Sequence, residues 1–428
     1  MKVLLLDFYL GRLQRQFFHW QPSFDGTGNV YTLTVENGLL RKRSYIKKGV
    51  RKVHLWLGLI SGLVLSIVGI TGSLYVFEPE IAAYLERELY LMEGNAVIFE
   101  NDVELAAFLE NNYEQQVESI QWPKRGRETY ILKFFGDDHW YYFDQSNGKL
   151  TKGGLGTGNA IFNFILNLHR TLTLGKAGQL ITGIVSILFA FFMLSTGLYL
   201  WWPRTKTRKK ISFRIQWNAK PKILNYNIHN VSGFYFFLPL FLMGLTGAGF
   251  YFSSEFKMVL NALTFSVPSK KIEIVEDRSY YTKNDLMTLV AVLKEMDKYH
   301  TEFGRRNLWM TNRVDGDVSL GYQKRTDIYA GPDTRIFLTL HPVTGKVLRE
   351  YHPDRLPRGE AIMAKWLLQV HFGEFGGLFT RILWFFAGFL PALLTYTGVK
   401  IWMGRTFKKK NPNPPKRVFG KLKIPHKS

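Results

Sequence analysis

Four apolar stretches constrain what this chain can become: Leu55–Phe77, Leu180–Trp202, Val231–Phe252 and Ile382–Trp402. Each is long enough to cross a bilayer's hydrocarbon core, which takes about 20 residues. None contains an acidic side chain, and only Lys400, near an end, is basic. Lipid offers the backbone no hydrogen-bond partners, so such stretches must satisfy themselves as helices. The fold class expected is an α-helical integral membrane protein with four transmembrane helices.

The formal net charge of +22 would suit a nucleic-acid binder, but its distribution argues otherwise. Lys and Arg gather in three segments beside the spans, Arg41–Lys52, Arg204–Lys222 and Arg405–Lys427. Cytoplasmic loops carry such an excess, so the expected partner is the membrane and no nucleic acid. Both termini and the middle loop are then cytoplasmic, and the long segments Glu78–Asn159 and Ser253–Glu360 lie outside. The expected layout is a basic N-terminal segment (1–52), a first span (53–77), an outer domain (78–159), an interfacial helix with the second span (160–202), and a basic loop (203–226). A third span (227–252), a second outer domain (253–360), an interfacial helix with the fourth span (361–403) and a basic tail (404–428) complete it. The opening "MKVLLLDFYL" has Asp7 inside a short apolar run and no small-residue cleavage signature, so it does not read as a signal peptide. With no cysteine, thiolate iron–sulfur clusters, covalently attached c-type haem and disulfides are excluded.

The chain repeats itself. Aligning His54 with His229 also aligns Gly58 with Gly233, "ITG" at Ile70–Gly72 with "LTG" at Leu245–Gly247, and Glu80 with Glu255. The second and fourth spans end alike, "STGLYLWWPR" against "YTGVKIWMGR", and His169 and His371 precede their glycines, Gly197 and Gly398, by 28 and 27 residues. Two tandem repeats are expected, parallel around an axis along the membrane normal, each with a small outer α+β domain. "FDQSNGKL" and "LHPVTGKV" read as matching strand ends with turns at Gly148 and Gly345. The segments around "GDDHW" and Asp315-Gly316 read as hairpins, and "TKNDLMTLVAVLKEMDKYH" as a capped helix with Leu286, Leu289, Val290, Leu293 and Met296 on one face.

Four histidines at matched positions are the candidate site: His54 and His229 on the inner side, His169 and His371 on the outer. Parallel repeats bring equivalent residues face to face, and facing neutral imidazoles in a helical bundle suit the axial positions of a haem iron. Gly58 and Gly233, one helical turn beyond their histidines, remove side chains from the same face, and Gly62, Gly69 and Gly72 add room. The competing explanations are a polar anchor at the interface for each histidine and close helix packing for the glycines. Duplicated anchoring does not require the same residue type twice, which favours ligation. His139, His300, His341 and His352 have no repeat partners and read as surface residues. Pro239 and Pro391 are candidate kinks. Lys124, Arg125, Arg127, Arg305 and Arg306 form an outer basic group, either solvated or attracting an anionic chelate. "GGLGTGN" lacks the last glycine of a dinucleotide fingerprint, so a nucleotide-dependent donor would be a separate molecule.

The sequence "VHLWLGLISGLVLSIVGITGSLYVFEPE", the stretch "LHRTLTLGKAGQ", "STGLYLWWPR" and the "TGKVL" turn together resemble the PepSY-associated transmembrane helix family over about Arg51–Arg405. That resemblance implies a multi-pass protein of the bacterial inner membrane with PepSY-like periplasmic domains. It also implies two b-type haems held by His54, His169, His229 and His371, and reduction of ferric siderophores or other ferric chelates with electrons from a quinol or a cytoplasmic reductase. A non-catalytic, membrane-anchored PepSY module that binds peptides or restrains a peptidase is the alternative function. A transporter is disfavoured by the apolar span centres.

Overall fold

The computed structural model describes residues 33–95, 97–124, 127–153, 157–203, 205–269, 285–299, 304–310, 318–323 and 331–406. The chain divides into two units, Met1–Val53 and His54–Ser428. Of the first, residues 33–53 are helical. The opening "MKVLLLDFYL" with Asp7, residues 407–428 of the expected tail, the hairpin at Asp315-Gly316, and Arg125, Arg204 and His300 lie outside the described residues.

Helix α1 is Leu33–Tyr75, followed by the short α2 (Glu78–Leu85), α3 (Arg87–Tyr90) and α4 (Asp102–Asn112). After four strands come α5 (Thr157–Thr171), α6 (Gly175–Ile187), a π-helical stretch Leu188–Met193, α7 (Leu194–Trp201) and α8 (Lys206–Ser212). Next are α9 (Pro221–Tyr235), α10 (Phe237–Tyr251), α11 (Ser253–Leu263) and α12 (Leu289–Met296), four more strands, α13 (Arg358–Phe372) and α14 (Gly377–Thr406). Three helical stretches are long and apolar enough to cross a membrane, Tyr45–Tyr75, Gly175–Trp201 and Glu374–Thr406, and a fourth if α9 and α10 form one span bent by 64°. The bend has a local cause. Pro239 offers no N–H to the carbonyl of Tyr235, four residues back, and its ring crowds that carbonyl, so α9 stops there. Pro391, by contrast, lies inside the unbroken α14.

Helices α1 and α14 cross backbone to backbone. A Cβ on Gly69 would lie 2.3 Å from the Gly388 carbonyl oxygen, and one on Gly388 would lie 2.1 Å from Ser73 Oγ. The Ser73 hydroxyl donates to the Phe385 carbonyl at 2.8 Å. Small residues at such a crossing supply the close packing that water cannot drive in lipid. Leu65, Phe189, Leu194, Leu240, Leu390 and Leu394 form a buried apolar cluster between the spans.

The strands are β1 (Val117–Gln121), β2 (Tyr130–Phe134), β3 (Trp140–Asp144), β4 (Lys149–Gly153), β5 (Gly304–Trp309), β6 (Val318–Gln323), β7 (Ile336–Leu340) and β8 (Val347–Tyr351). They form one antiparallel sheet in the order β4-β3-β2-β1-β5-β6-β7-β8. The two outer segments therefore meet at the central pair, with Ile120 opposite Leu308. Just past the register, Trp122 N–H donates to the Arg306 carbonyl (2.9 Å) and Met310 N–H to the Glu118 carbonyl (2.7 Å). Donors 122 and 310, and acceptors 118 and 306, differ by the same 188 positions, so the two bonds exchange under a two-fold rotation.

One face of the sheet packs against α4 and α12, burying Leu105, Leu109, Phe143, Leu293, Met296 and Leu308 in one core. Helix α12 is shorter than the periodicity predicts. Thr288 caps it by accepting from Ala291 N–H (3.2 Å), so Leu286 lies before the helix, and the buried face is Leu289, Val292, Leu293 and Met296. Asn101 caps α4 in the same way. On the other face Ile131 and Tyr142 pack with Ala82, Tyr90 and Phe162 of α2, α3 and α5. The expected turns before Lys149 and Lys346 are present, with Gly148 and Gly345 at φ 73° and 69°, a region that favours glycine.

Candidate functional site

Each of the four histidines is held by a neighbouring helix in the same way. His54 Nδ1 lies 3.0 Å from Thr196 Oγ1 and 3.2 Å from the Met193 carbonyl. His169 Nδ1 lies 3.3 Å from Thr71 Oγ1 and 2.8 Å from the Val68 carbonyl. His229 Nδ1 lies 2.9 Å from Thr397 Oγ1 with a backbone bond to Leu394, and His371 Nδ1 lies 2.9 Å from Thr246 Oγ1 with a backbone bond to Met243. Every seat is thus a threonine and the carbonyl three residues before it. In each case the residue after the threonine is glycine, and an added Cβ would meet the imidazole Cε1. The distances are 2.8 Å at Gly72, 3.2 Å at Gly197, 3.4 Å at Gly398 and 3.5 Å at Gly247.

The seating is reciprocal. Helix α1 carries His54 at its middle and the Thr71-Gly72 seat for His169 near its C-terminal end, about 27 Å apart at 1.5 Å per residue. The seat for His54 is in α7, where the π-helical stretch ends at Met193. His169 and His371 come at the ends of α5 and α13. Gly373, at φ 73°, closes α13 as a left-handed cap. After α5 the chain turns through Leu172 and Thr173 at φ 51° and 61°, an uncommon conformation for non-glycine residues and a costly one for β-branched threonine.

The seats bring the histidines together in two pairs, as the matched positions predict. His54 and His229 have ring centroids 6.3 Å apart with planes at 89°, and His169 and His371 are 6.0 Å apart at 62°. Two imidazoles on opposite sides of one metal require about 2.0–2.1 Å per metal–nitrogen bond plus about 1.1 Å from nitrogen to ring centre, roughly 6.3 Å in all. Both pairs fit that spacing. Among the described residues no Nε2 of the four makes a hydrogen bond, and no group of three or more His, Asp or Glu could hold a metal ion. A metal at either pair would take its remaining ligands from outside the described carboxylates and imidazoles.

The other glycines near the histidines divide into two groups. A Cβ at Gly58 or Gly233 would make only ordinary contacts, at 3.5 Å to Met193 and 3.7 Å to Leu394. Gly62 packs against Thr395 and Gly69 against Gly388, so both serve helix contact. The sequence reading missed Thr71, Thr196, Thr246 and Thr397, although the repeated T-G dipeptides that contain them were its alignment marks.

Several outer residues have other roles. Arg305 pairs with Asp102 and Asp297, tying α4 to the end of α12, so it is no free cation for a chelate. Arg127, 6 % exposed, donates to the Trp122 carbonyl (2.7 Å) and Gln121 Oε1 (3.3 Å). Burial pushes the Glu78 carboxyl up, with Lys124 opposing. His341 is 4 % exposed rather than on the surface, because its Nδ1 accepts from Val343 N–H and Thr344 N–H and so holds the β7–β8 turn. Arg381, 3 % exposed, forks onto Glu80 at 2.6 and 2.9 Å and donates to the Val76 carbonyl at 2.6 Å.

A comparison with curated proteins gives no match. The sequence pattern of the PepSY-associated TM region matches residues 51–405, which include all four histidines, their threonine seats and every candidate span except the first residues of Tyr45–Tyr75 and the last of Glu374–Thr406. On that match the chain belongs to the PepSY-associated transmembrane family and is a multi-pass membrane protein.

Proposed function

We propose that this protein is a two-repeat electron conduit of the bacterial inner membrane that reduces ferric chelates, siderophore iron among them, on the side where the sheet lies. The observation that carries this reading is the pair of two-imidazole sites, each at the spacing of a shared metal and neither with a third protein ligand among the described residues. His54 and His229 would hold one b-type haem, and His169 and His371 the other. A haem so held supplies reversible one-electron chemistry. The apolar cluster of Leu65, Phe189, Leu194, Leu240, Leu390 and Leu394 keeps water out between the two levels. The positive-inside distribution of Lys and Arg supports the sheet as periplasmic and both termini as cytoplasmic. Ferrous iron is held less tightly than ferric iron by hard oxygen donors, so reduction loosens the chelate. The electron donor, a quinol or a cytoplasmic reductase, is a separate molecule.

The test is the spectrum of the purified protein and of four single variants. A sharp Soret band with two low-spin components is expected. His54→Ala and His229→Ala should perturb one component, and His169→Ala and His371→Ala the other. Membranes with the wild-type protein should reduce an impermeant ferric chelate faster than membranes without it. A colourless protein that takes up no added haem, or a fourfold histidine variant that inserts and retains the full reductase rate, would refute the proposal.

A further inference from the structure

We infer that Thr71, Thr196, Thr246 and Thr397 are positioning residues that fix each histidine in the Nδ1–H tautomer and so present a bare Nε2 lone pair to its partner. This deepens the proposed function and rests on it for its meaning. The argument follows the protons. A hydroxyl has one hydrogen to give and two lone pairs to accept with. In all four threonines Oγ1 donates to the carbonyl one turn back: Thr71 to Ile67 (2.7 Å), Thr196 to Phe192 (2.6 Å), Thr246 to Leu242 (2.6 Å) and Thr397 to Leu393 (2.7 Å). The hydroxyl proton is therefore committed, and the oxygen faces Nδ1 as an acceptor. The second group at each Nδ1 is a backbone carbonyl, which can only accept. Both neighbours call for a hydrogen on Nδ1. A neutral imidazole that carries its hydrogen there has none on Nε2.

The following glycine completes the device. Removing its Cβ lets the ring lie against the helix that carries the threonine, so ring height and tautomer are set by one Thr-Gly unit. The same construction occurs four times on four different helices. A packing accident would not reproduce the acceptor, the committed proton and the missing Cβ together. Hydrogen bonding at the distal ring nitrogen fixes the orientation of a ligating histidine and raises its basicity, and loss of such a partner typically costs about 10–100-fold in metal affinity.

The experiment replaces each threonine by valine, which keeps the shape and loses the hydroxyl, and by serine, which restores it. Haem affinity, the reduction potential of each low-spin component, and the tautomer of the four imidazoles in the metal-free protein by carbon and nitrogen NMR are measured. Thr71→Val and Thr246→Val should weaken only the His169–His371 component, and Thr196→Val and Thr397→Val only the His54–His229 component. The loss expected is about tenfold, the low end of that range, because the carbonyl acceptor remains. The potential of the affected component should rise, and each serine variant should recover. Valine variants that match wild type, or serine variants as impaired as valine, overturn the inference while leaving the haem reading intact. If the wild-type protein takes up no haem, the functional reading falls, and NMR decides the tautomer alone: Nδ1–H at all four rings sustains the inference, Nε2–H ends it.

Discussion

A graded set of glycine substitutions tests whether the Thr-Gly seats govern the two histidine pairs. Replacing Gly72 by alanine places a Cβ 2.8 Å from the Cε1 of His169, against an ordinary contact of about 3.5 Å or more. The ring must retreat by roughly 0.7 Å, and its bond to Thr71 Oγ1, already 3.3 Å, then passes beyond hydrogen-bond range. Overpacking of this kind costs about 1–3 kcal/mol, which corresponds to roughly 5- to 150-fold weaker ligation at 1.4 kcal/mol per tenfold. At Gly197 the distance is 3.2 Å, so the expected loss is smaller. At Gly398 and Gly247, with 3.4 and 3.5 Å, little change is expected. The assay is titration of the metal-free protein with haem, following each low-spin component separately. Melting temperature is a poor substitute, because glycine to alanine also raises helix propensity by up to about 1 kcal/mol. Within the His169–His371 component Gly72→Ala must exceed Gly247→Ala, and within the His54–His229 component Gly197→Ala must exceed Gly398→Ala. The reverse order in either pair, or four equal effects, would show that contact with the ring is not what these glycines provide.

Three further outcomes are expected. Glu80→Leu removes the carboxylate that buried Arg381 forks onto, while the Val76 carbonyl and the Phe77 ring remain beside it, and should cost about 1.5–3 kcal/mol, measured by denaturant titration in detergent; pairing it with Arg381→Met should recover most of the loss, and no recovery would refute the ion-pair explanation. The Asp144 carboxyl, although burial opposes it, is held below the usual carboxylate range by the Ser146 hydroxyl and the N–H groups of Glu93 and Ser146. Its stabilisation is therefore present above about pH 3.9 and lost as pH falls through the depressed native value. Thermal midpoints from pH 5 to 2 should drop more steeply for wild type than for Asp144→Asn, and parallel curves would exclude this role. A periplasmic reporter fused after Asp144 should be active and one fused after Lys210 silent, whereas the opposite pattern would invert the proposed topology.

The spans, the pairing of the histidines and the bend at Pro239 follow from local signals: apolar length, matched spacing and a missing N–H. The seats required more than spacing. Thr71 is 98 residues from His169 and Thr196 is 142 from His54, so nothing short-range marks them as partners, and only the packing of neighbouring helices reveals that a T-G dipeptide receives an imidazole. The junction of β1 with β5 was equally silent, because an edge strand reads the same whether it faces solvent or another strand. Arg305 and His341 looked exposed because charged and polar residues usually are; their partners, Asp102, Asp297 and the Val343–Thr344 turn, come from tertiary contact or turn geometry. Pro391 carried the same kink signal as Pro239, yet α14 continues through it.

The central β1–β5 pairing also sets a timetable for biogenesis. Strand β1 is complete at Gln121, but its partner begins at Gly304, with two candidate spans between them. At a synthesis rate of about 5–20 residues per second, the inner edge of β1 waits on the order of 10 to 40 s with its N–H and C=O groups unpaired. An open edge of this kind is a template for pairing with the wrong chain. The half-sheet β4-β3-β2-β1 therefore has a window in which it needs shielding, by a chaperone or by its own membrane surface. The window closes only when β5 is available to pair with β1. Truncation after the second span should leave a product that aggregates through β1, whereas supplying the later segment as a separate chain should suppress that aggregation.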